Sequence, residues 1–178
     1  NAVASGTHIS RVAGLYVTGS PATTGVLLAS AGRDLNLTAA DIQNTSSGPT
    51  GLLAGNNINL NTVTVAEAHS AVFDAKNRTA VSSTAEVGAA VQTQGDLIMQ
   101  AGNDLNARAA TINAQGDITA SANNINLTAG QATNSFSAAS EHKGRSSSFS
   151  STTVTARVDQ SGTTALGTIN ARVQATIP

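Results

Sequence analysis

The chain has 178 residues, of which 32 are Ala, 23 Thr, 19 Ser and 16 Asn, against one Met, one Tyr, three Phe and no Trp or Cys. So little bulk excludes a single central core of the ordinary globular kind, and a net charge of −1 from 9 basic and 10 acidic residues argues against a charged, disordered chain. The same balance offers no basic footprint for nucleic acid, and the scarcity of aromatics removes base-stacking platforms.

Absence of Cys excludes disulfide staples, thiolate zinc sites and Cys nucleophiles together. No apolar run approaches the length of a transmembrane helix. The chain opens at Asn1 without a signal-peptide pattern and reads as a piece of a longer protein.

In chain order, residues 1–30 form an entry segment with two short apolar runs, Leu15-Tyr-Val17 and Val26-Leu-Leu28. A phrase of Gly, Asp or Asn, then Leu or Ile then follows, as Gly32-Arg-Asp34-Leu35-Asn-Leu37 and Gly55-Asn-Asn57-Ile58-Asn-Leu60. Further copies stand at Asp96-Leu97, Asp104-Leu105, Asp117-Ile118 and Asn124-Ile125. Copies recur about every 20–23 residues, and a second apolar position follows seven residues after the first, as from Leu35 to Ile42 and Leu105 to Ile112.

A Leu-x-Leu step has the period of a strand, and Gly, Asp and Asn suit tight corners. The pattern predicts an all-β, parallel β-helix with three short strands per rung. One rung cannot stand alone, because a few buried aliphatics do not offset the ordering of about 20 residues. Neighbouring rungs must supply the rest. Eight rungs result if the whole chain is wound.

A longer repeat overlies the short one. Ala31-Gly-x-Asp-Leu-Asn-x-x-Ala39-Ala40-x-Ile42 returns as Ala101-Gly-x-Asp-Leu-Asn-x-x-Ala109-Ala110-x-Ile112. Within a single β-helical segment over 1–178, this sets a first repeat unit at 31–100 and a second at 101–178. Each has a motif-poor second part, 62–94 and 129–178. Val63-Thr-Val65 and Val154-Thr-Ala-Arg-Val158 alternate like strands, so these parts are expected to be irregular rungs or a strand pair leaving the coil. Val65–Lys76, richer in Ala and Glu, is the one stretch with a helical leaning.

The chemistry-bearing residues are dispersed. The motif Asp reads as a corner residue that bonds its own turn rather than as a carboxylate ladder, since Asn fills the same slot at 57 and 124. His8, His69 and His142 lack metal-ligand spacing, and no Gly-x-Ser-x-Gly elbow accompanies the many Ser. No catalytic residue, cofactor or metal site is predicted. Lys76/Arg78 and Lys143/Arg145 recur at the same place in both motif-poor parts, as a solvated loop or a contact for an anionic glycan. Sequons at Asn36, Asn44, Asn77 and Asn126 are what such a composition produces by chance. Phe73, Phe136 and Phe149 fall in the motif-poor parts, either as local plugs or as contact points.

Leu27-Leu-Ala-Ser-Ala-Gly-Arg-Asp-Leu-Asn-Leu-Thr-Ala39, its Ala101-Gly-Asn-Asp-Leu-Asn-Ala107 copy and the tail Glu141-His-Lys-x-x-Ser-Ser-Ser-Phe-Ser-Ser-Thr-Thr-Val-Thr-Ala156 resemble the haemagglutinin repeats of filamentous haemagglutinin-like two-partner secretion exoproteins. The resemblance covers most of the chain. It implies a non-enzymatic segment of a secreted exoprotein of a Gram-negative cell surface, wound as a right-handed parallel β-helix and extending for adhesion or for delivery of a toxin in contact-dependent growth inhibition.

The partner implied for export is an outer-membrane two-partner secretion transporter, engaged through a domain of which this sequence shows no motif. A target-cell surface or host glycan or receptor is the implied contact, nucleic acid is not, and the segment is expected to be a monomer with exposed β-helix ends. The competing expectation is a β-helical carbohydrate-active enzyme such as a polysaccharide lyase, which needs acidic and basic side chains converging in one groove.

Overall fold

The computed structural model describes the backbone of residues 1–145, 151–166 and 168–172, and side chains over residues 1–140. The protein is all-β. Its strands are β1 (Ala2–Thr7), β2 (Gly14–Val17), β3 (Leu27–Ala31), β4 (Leu35–Thr38), β5 (Asp41–Asn44), β6 (Thr50–Ala54), β7 (Ile58–Asn61), β8 (Val63–Val72) and β9 (Arg78–Val87). They continue with β10 (Ala90–Thr93), β11 (Leu97–Ala101), β12 (Asp104–Arg108), β13 (Thr111–Ser121), β14 (Asn124–Thr128), β15 (Gly130–Arg145), β16 (Ser151–Leu166) and β17 (Thr168–Arg172).

Two compact units share the chain. One holds Asn1–Ile9, Thr64–Ala85 and Gln131–Thr164; the other holds Ser10–Val63, Glu86–Gly130 and Ala165–Pro178. Both are interleaved along the sequence and so cut across the 31–100 and 101–178 repeats.

The second unit is built of parallel ladders. In the first, β2, β5, β10 and the start of β13 lie side by side, and β17 adds to β13. The second ladder is β3, β6, β11 and the end of β13, so the long strand β13 joins the two. The third is β4, β7, β12 and β14. Along the chain these ladders are visited in fixed rotation, first, second, third, and then first again.

The register stacks like on like. Leu35 pairs with Ile58, Ile58 with Leu105 and Leu105 with Ile125. In the first ladder Leu15, Ile42, Val91 and Ile112 align, and in the second Ala29, Leu52 and Met99. Alternate residues of each strand point to one side, and those from all three ladders meet in one buried cluster that includes Ile42, Leu52, Ile58, Leu60, Leu97, Leu105 and Ile112. Ala fills the intervening interior positions, which explains how so few large side chains suffice. The spacing read from the sequence is realised here residue for residue.

Where two strands meet at the end of the third ladder, Ala39 and Ala109 take positive φ values of 44° and 48°. These two residues are equivalents in the longer repeat. Gly88 occupies the corresponding corner between them, and a Cβ there would collide with the Ala109 carbonyl.

The first unit is an antiparallel sheet in the order β1-β8-β9-β15-β16. It takes up Thr64–Ala85 and Gln131–Thr164, the larger share of the motif-poor stretches, so the described residues are not wound throughout. Val65–Lys76 is not helical either. Strand β8 covers most of it, because β1 and β9 flank it with backbone partners on both edges, and tertiary pairing overrides a weak helical leaning. The Ser146–Thr153 run with Phe149 reaches outside the described residues.

Candidate functional site

In the parallel unit most of the polar side chains that bond do so across the ladders. The motif Asp and Asn reach forward to the neighbouring strand rather than to their own turn. Asp34 Oδ1 accepts from the Asn57 backbone N–H (3.1 Å) and from Asn56 Nδ2 (2.7 Å). Asn57 Oδ1 does the same for the Asp104 N–H (3.1 Å) and Asn103 Nδ2 (3.0 Å), and Asp96 Oδ1 accepts from the Asp117 N–H (2.9 Å). Asp and Asn interchange because only a carbonyl-type oxygen is required.

Two positions on, Asn59 donates to Asn36, Asn106 to Asn59 and Asn126 to Asn106, at 2.8, 2.9 and 2.9 Å. This amide ladder spans sequence steps of 23, 47 and 20 residues. Each link contributes about 1 kcal/mol net, and its value lies equally in fixing register. Two of the four sequons, at Asn36 and Asn126, are therefore ladder members.

A third sequon residue, Asn44, is buried in a polar knot. Its Nδ2 donates to Gly25 O (3.0 Å), Gly48 O (3.2 Å) and Thr50 Oγ1 (3.3 Å), and its Oδ1 accepts from the Ser46 N–H (3.1 Å). Ser46 Oγ lies 2.6 Å from both Gly25 O and Asn44 Oδ1, and Thr50 Oγ1 bonds Thr93 Oγ1 at 3.1 Å. Among the described residues no buried side-chain polar atom lacks a partner. Sequence reasoning missed this knot, since nothing in Asn44-Thr-Ser46 distinguishes an inward amide from a surface one.

The charged residues are engaged locally. Arg108 on β12 grips Glu86 with two bonds, Nε to Oε1 at 2.9 Å and Nη2 to Oε2 at 2.6 Å, and Thr62 Oγ1 donates to the same carboxylate at 3.4 Å. All three residues belong to the parallel unit. The bond to Glu86 raises the Arg108 pKa above its ordinary value. Tyr16 donates to Asp41 Oδ2 at 3.2 Å; desolvation first, then that bond and the carboxylate charge, raise its hydroxyl pKa. His8 is exposed beyond β1 and His69 is exposed on β8, while the His142 side chain lies outside the described residues. No three of the described His, Asp and Glu side chains come together as metal ligands.

The antiparallel sheet is the surface left open. Every residue of β1 is exposed, and no residue of this unit with a described side chain is buried. Val3 pairs with Ser70, Ser5 with Ala68 and Thr7 with Ala66, while Ser82 pairs with Ser135 and Thr84 with Thr133. Residues facing one another across strands share a side, and a shallow depression on this side is lined by Val3, Ser5, Ala68, Ser70, Ser82 and Ser135. Thr84 and Thr133 hydroxyls bond each other at 2.5 Å. The opposite side carries Ala4 and His69, Val81 and Phe136. One face is thus rich in Ser, Thr and Ala, and the other mixes Val81 and Phe136 with Glu67, His69 and Asn134.

At the tip between β8 and β9, Asp74 holds the turn. Its carboxylate accepts from the Lys76 N–H (2.8 Å), the Asn77 N–H (2.8 Å) and Asn77 Nδ2 (2.6 Å). The Asn77 side-chain bond leads these in lowering the Asp74 pKa below the ordinary carboxylate value. Of the predicted pairs, Lys76 and Arg78 sit at this tip; the side chains of Lys143 and Arg145 are outside the described residues.

Comparison with models of known families, with curated proteins and with solved structures finds no match for this chain.

Proposed function

We propose that this chain is a non-enzymatic structural and interaction segment of a secreted bacterial exoprotein of the haemagglutinin-repeat type, serving adhesion or toxin delivery at the cell surface. In this reading the parallel unit is a right-handed β-solenoid of three strands per turn, the hand following the general preference of parallel crossovers, and it acts as a stalk. The antiparallel sheet supplies the contact surface.

One observation carries the reading. The third ladder pairs Ile58 with Leu105 across a stretch that contains a whole hairpin, and the columns before and after it keep their register. A scaffold that tolerates such a departure without disturbance is suited to presenting contact surfaces at intervals. The local engagement of Asp34, Asp96, Glu86 and Arg108 in backbone capping and clamping supports a structural role for them over a catalytic one.

The test is to incubate fluorescently labelled chain with Gram-negative and host cells, and separately with pectin and glycosaminoglycans. Retention on one of the cell types, without release of unsaturated sugars, is expected. Release of unsaturated sugars from any polymer would replace this reading with that of a polysaccharide lyase.

A further inference from the structure

We propose that the tip of the first hairpin is a membrane-contact element, in which Phe73 and Val72 enter an anionic lipid surface while Lys76 and Arg78 lie at the level of its headgroups. This goes beyond the function proposed above and stands without it. Phe73 is 77% exposed, in a chain with only three Phe, one Tyr and no Trp. Val72 beside it is also exposed, at 45%.

The exposure is not that of a loose loop. The Phe73 N–H donates to Asn77 O at 2.9 Å and the Asp74 N–H reaches the same oxygen at 3.3 Å. Asp74 ties down Lys76 and Asn77 as described, and the Val72 N–H donates to Asn1 O at 2.8 Å. The ring is therefore held outward by a preorganised turn, which lowers the ordering cost of binding.

Charge points to the chemistry of the partner. Asp74, Lys76 and Arg78 are all exposed; the Asp74 carboxylate is turned onto the donors of its own turn, and Arg78 Nη1 donates to Ala75 O at 3.4 Å. Asp74, Lys76 and Arg78 sum to one net positive charge at the tip, on a chain whose total is −1. Long cationic side chains can lay their stems along an apolar boundary with the charge at the headgroups. A single exposed ring on a tight turn favours a fluid interface that closes around it over a protein partner, which would need a matching pocket.

Because the chain has no Trp, Phe73→Trp places a single reporter at the tip. Mixed with vesicles of phosphatidylcholine and phosphatidylglycerol, its emission should shift to the blue and be quenched by brominated acyl chains. Binding should be about fivefold weaker to phosphatidylcholine alone, the effect of one net charge near the surface, and Lys76→Gln, which leaves the tip without net charge, should abolish the difference. Phe73→Ser should lower co-sedimentation with the anionic vesicles at least about fivefold, the loss of one buried ring, with the far-UV spectrum unchanged. Emission that stays at its water-exposed position on both vesicles would overturn the proposal. So would a shift that appears only when solubilised membrane proteins are added, since the tip would then be a protein contact.

Discussion

The two units draw on the same small residues and put them to different uses. In the parallel unit large interior side chains stack in columns, as from Leu35 through Ile58 to Leu105, and few are needed because each is enclosed by the strands on either side. In the antiparallel sheet no residue with a described side chain is buried, and order rests on backbone pairing and on local devices such as the Asp74 turn. The difference teaches that stacking, not composition, decides whether an Ala-, Thr- and Ser-rich chain acquires an interior.

That contrast can be broken by placing one substitution in each unit. Leu105→Asp should lower stability by more than about 4 kcal/mol, enough to unfold or aggregate the chain, because a carboxylate would be buried among aliphatics with no partner. Ser82→Asp on the open sheet should change stability by less than about 0.5 kcal/mol. Thermal or denaturant unfolding measures both. Next in size, Asn44→Ala should cost about 2–3 kcal/mol in denaturant unfolding, since the Ser46 N–H and the Gly48 carbonyl lose their Asn44 partner.

Gly88→Ala should cost about 2 kcal/mol, because the added methyl forces the Ala109 carbonyl to move at a packed corner. The smallest effect lies in the sheet and depends on pH. Asp74 has a folded pKa below its ordinary 3.8, so its contribution is complete above that value and is lost as pH falls through the depressed folded pKa. Hydrogen exchange at the Lys76 and Asn77 amides, corrected for intrinsic rates, should lose protection over that acid range and keep it at neutral pH.

Much of the parallel unit was legible because its signal is repetition. The Asp34, Asn57, Asp104 and Asn124 slots and the Leu or Ile after each could be aligned from spacing alone, and they occupy paired positions. What the motif oxygen bonds to was misread, since a corner residue that caps the next strand has the same sequence signature as one that caps its own turn. The helical leaning over Val65–Lys76 failed for a non-local reason, the availability of β1 and β9 as neighbours. Asn44 and Ser46 were unreadable, as their burial depends on strands far away in sequence. The open sheet was only hinted at by its Ser and Thr excess, because a sheet with no buried residue among its described side chains imposes no hydrophobic alternation to read.

The central claim is that the ladders continue in register across the hairpin, with Asn59 beside Asn106. Since the chain has no Cys, cysteines placed at 59 and 106 can carry spin labels without interference. Labels on adjacent strands, about 5 Å apart, should give an electron paramagnetic resonance spectrum strongly broadened by spin–spin coupling, relative to either label alone. A spectrum equal to the sum of the two single-label spectra would contradict the account.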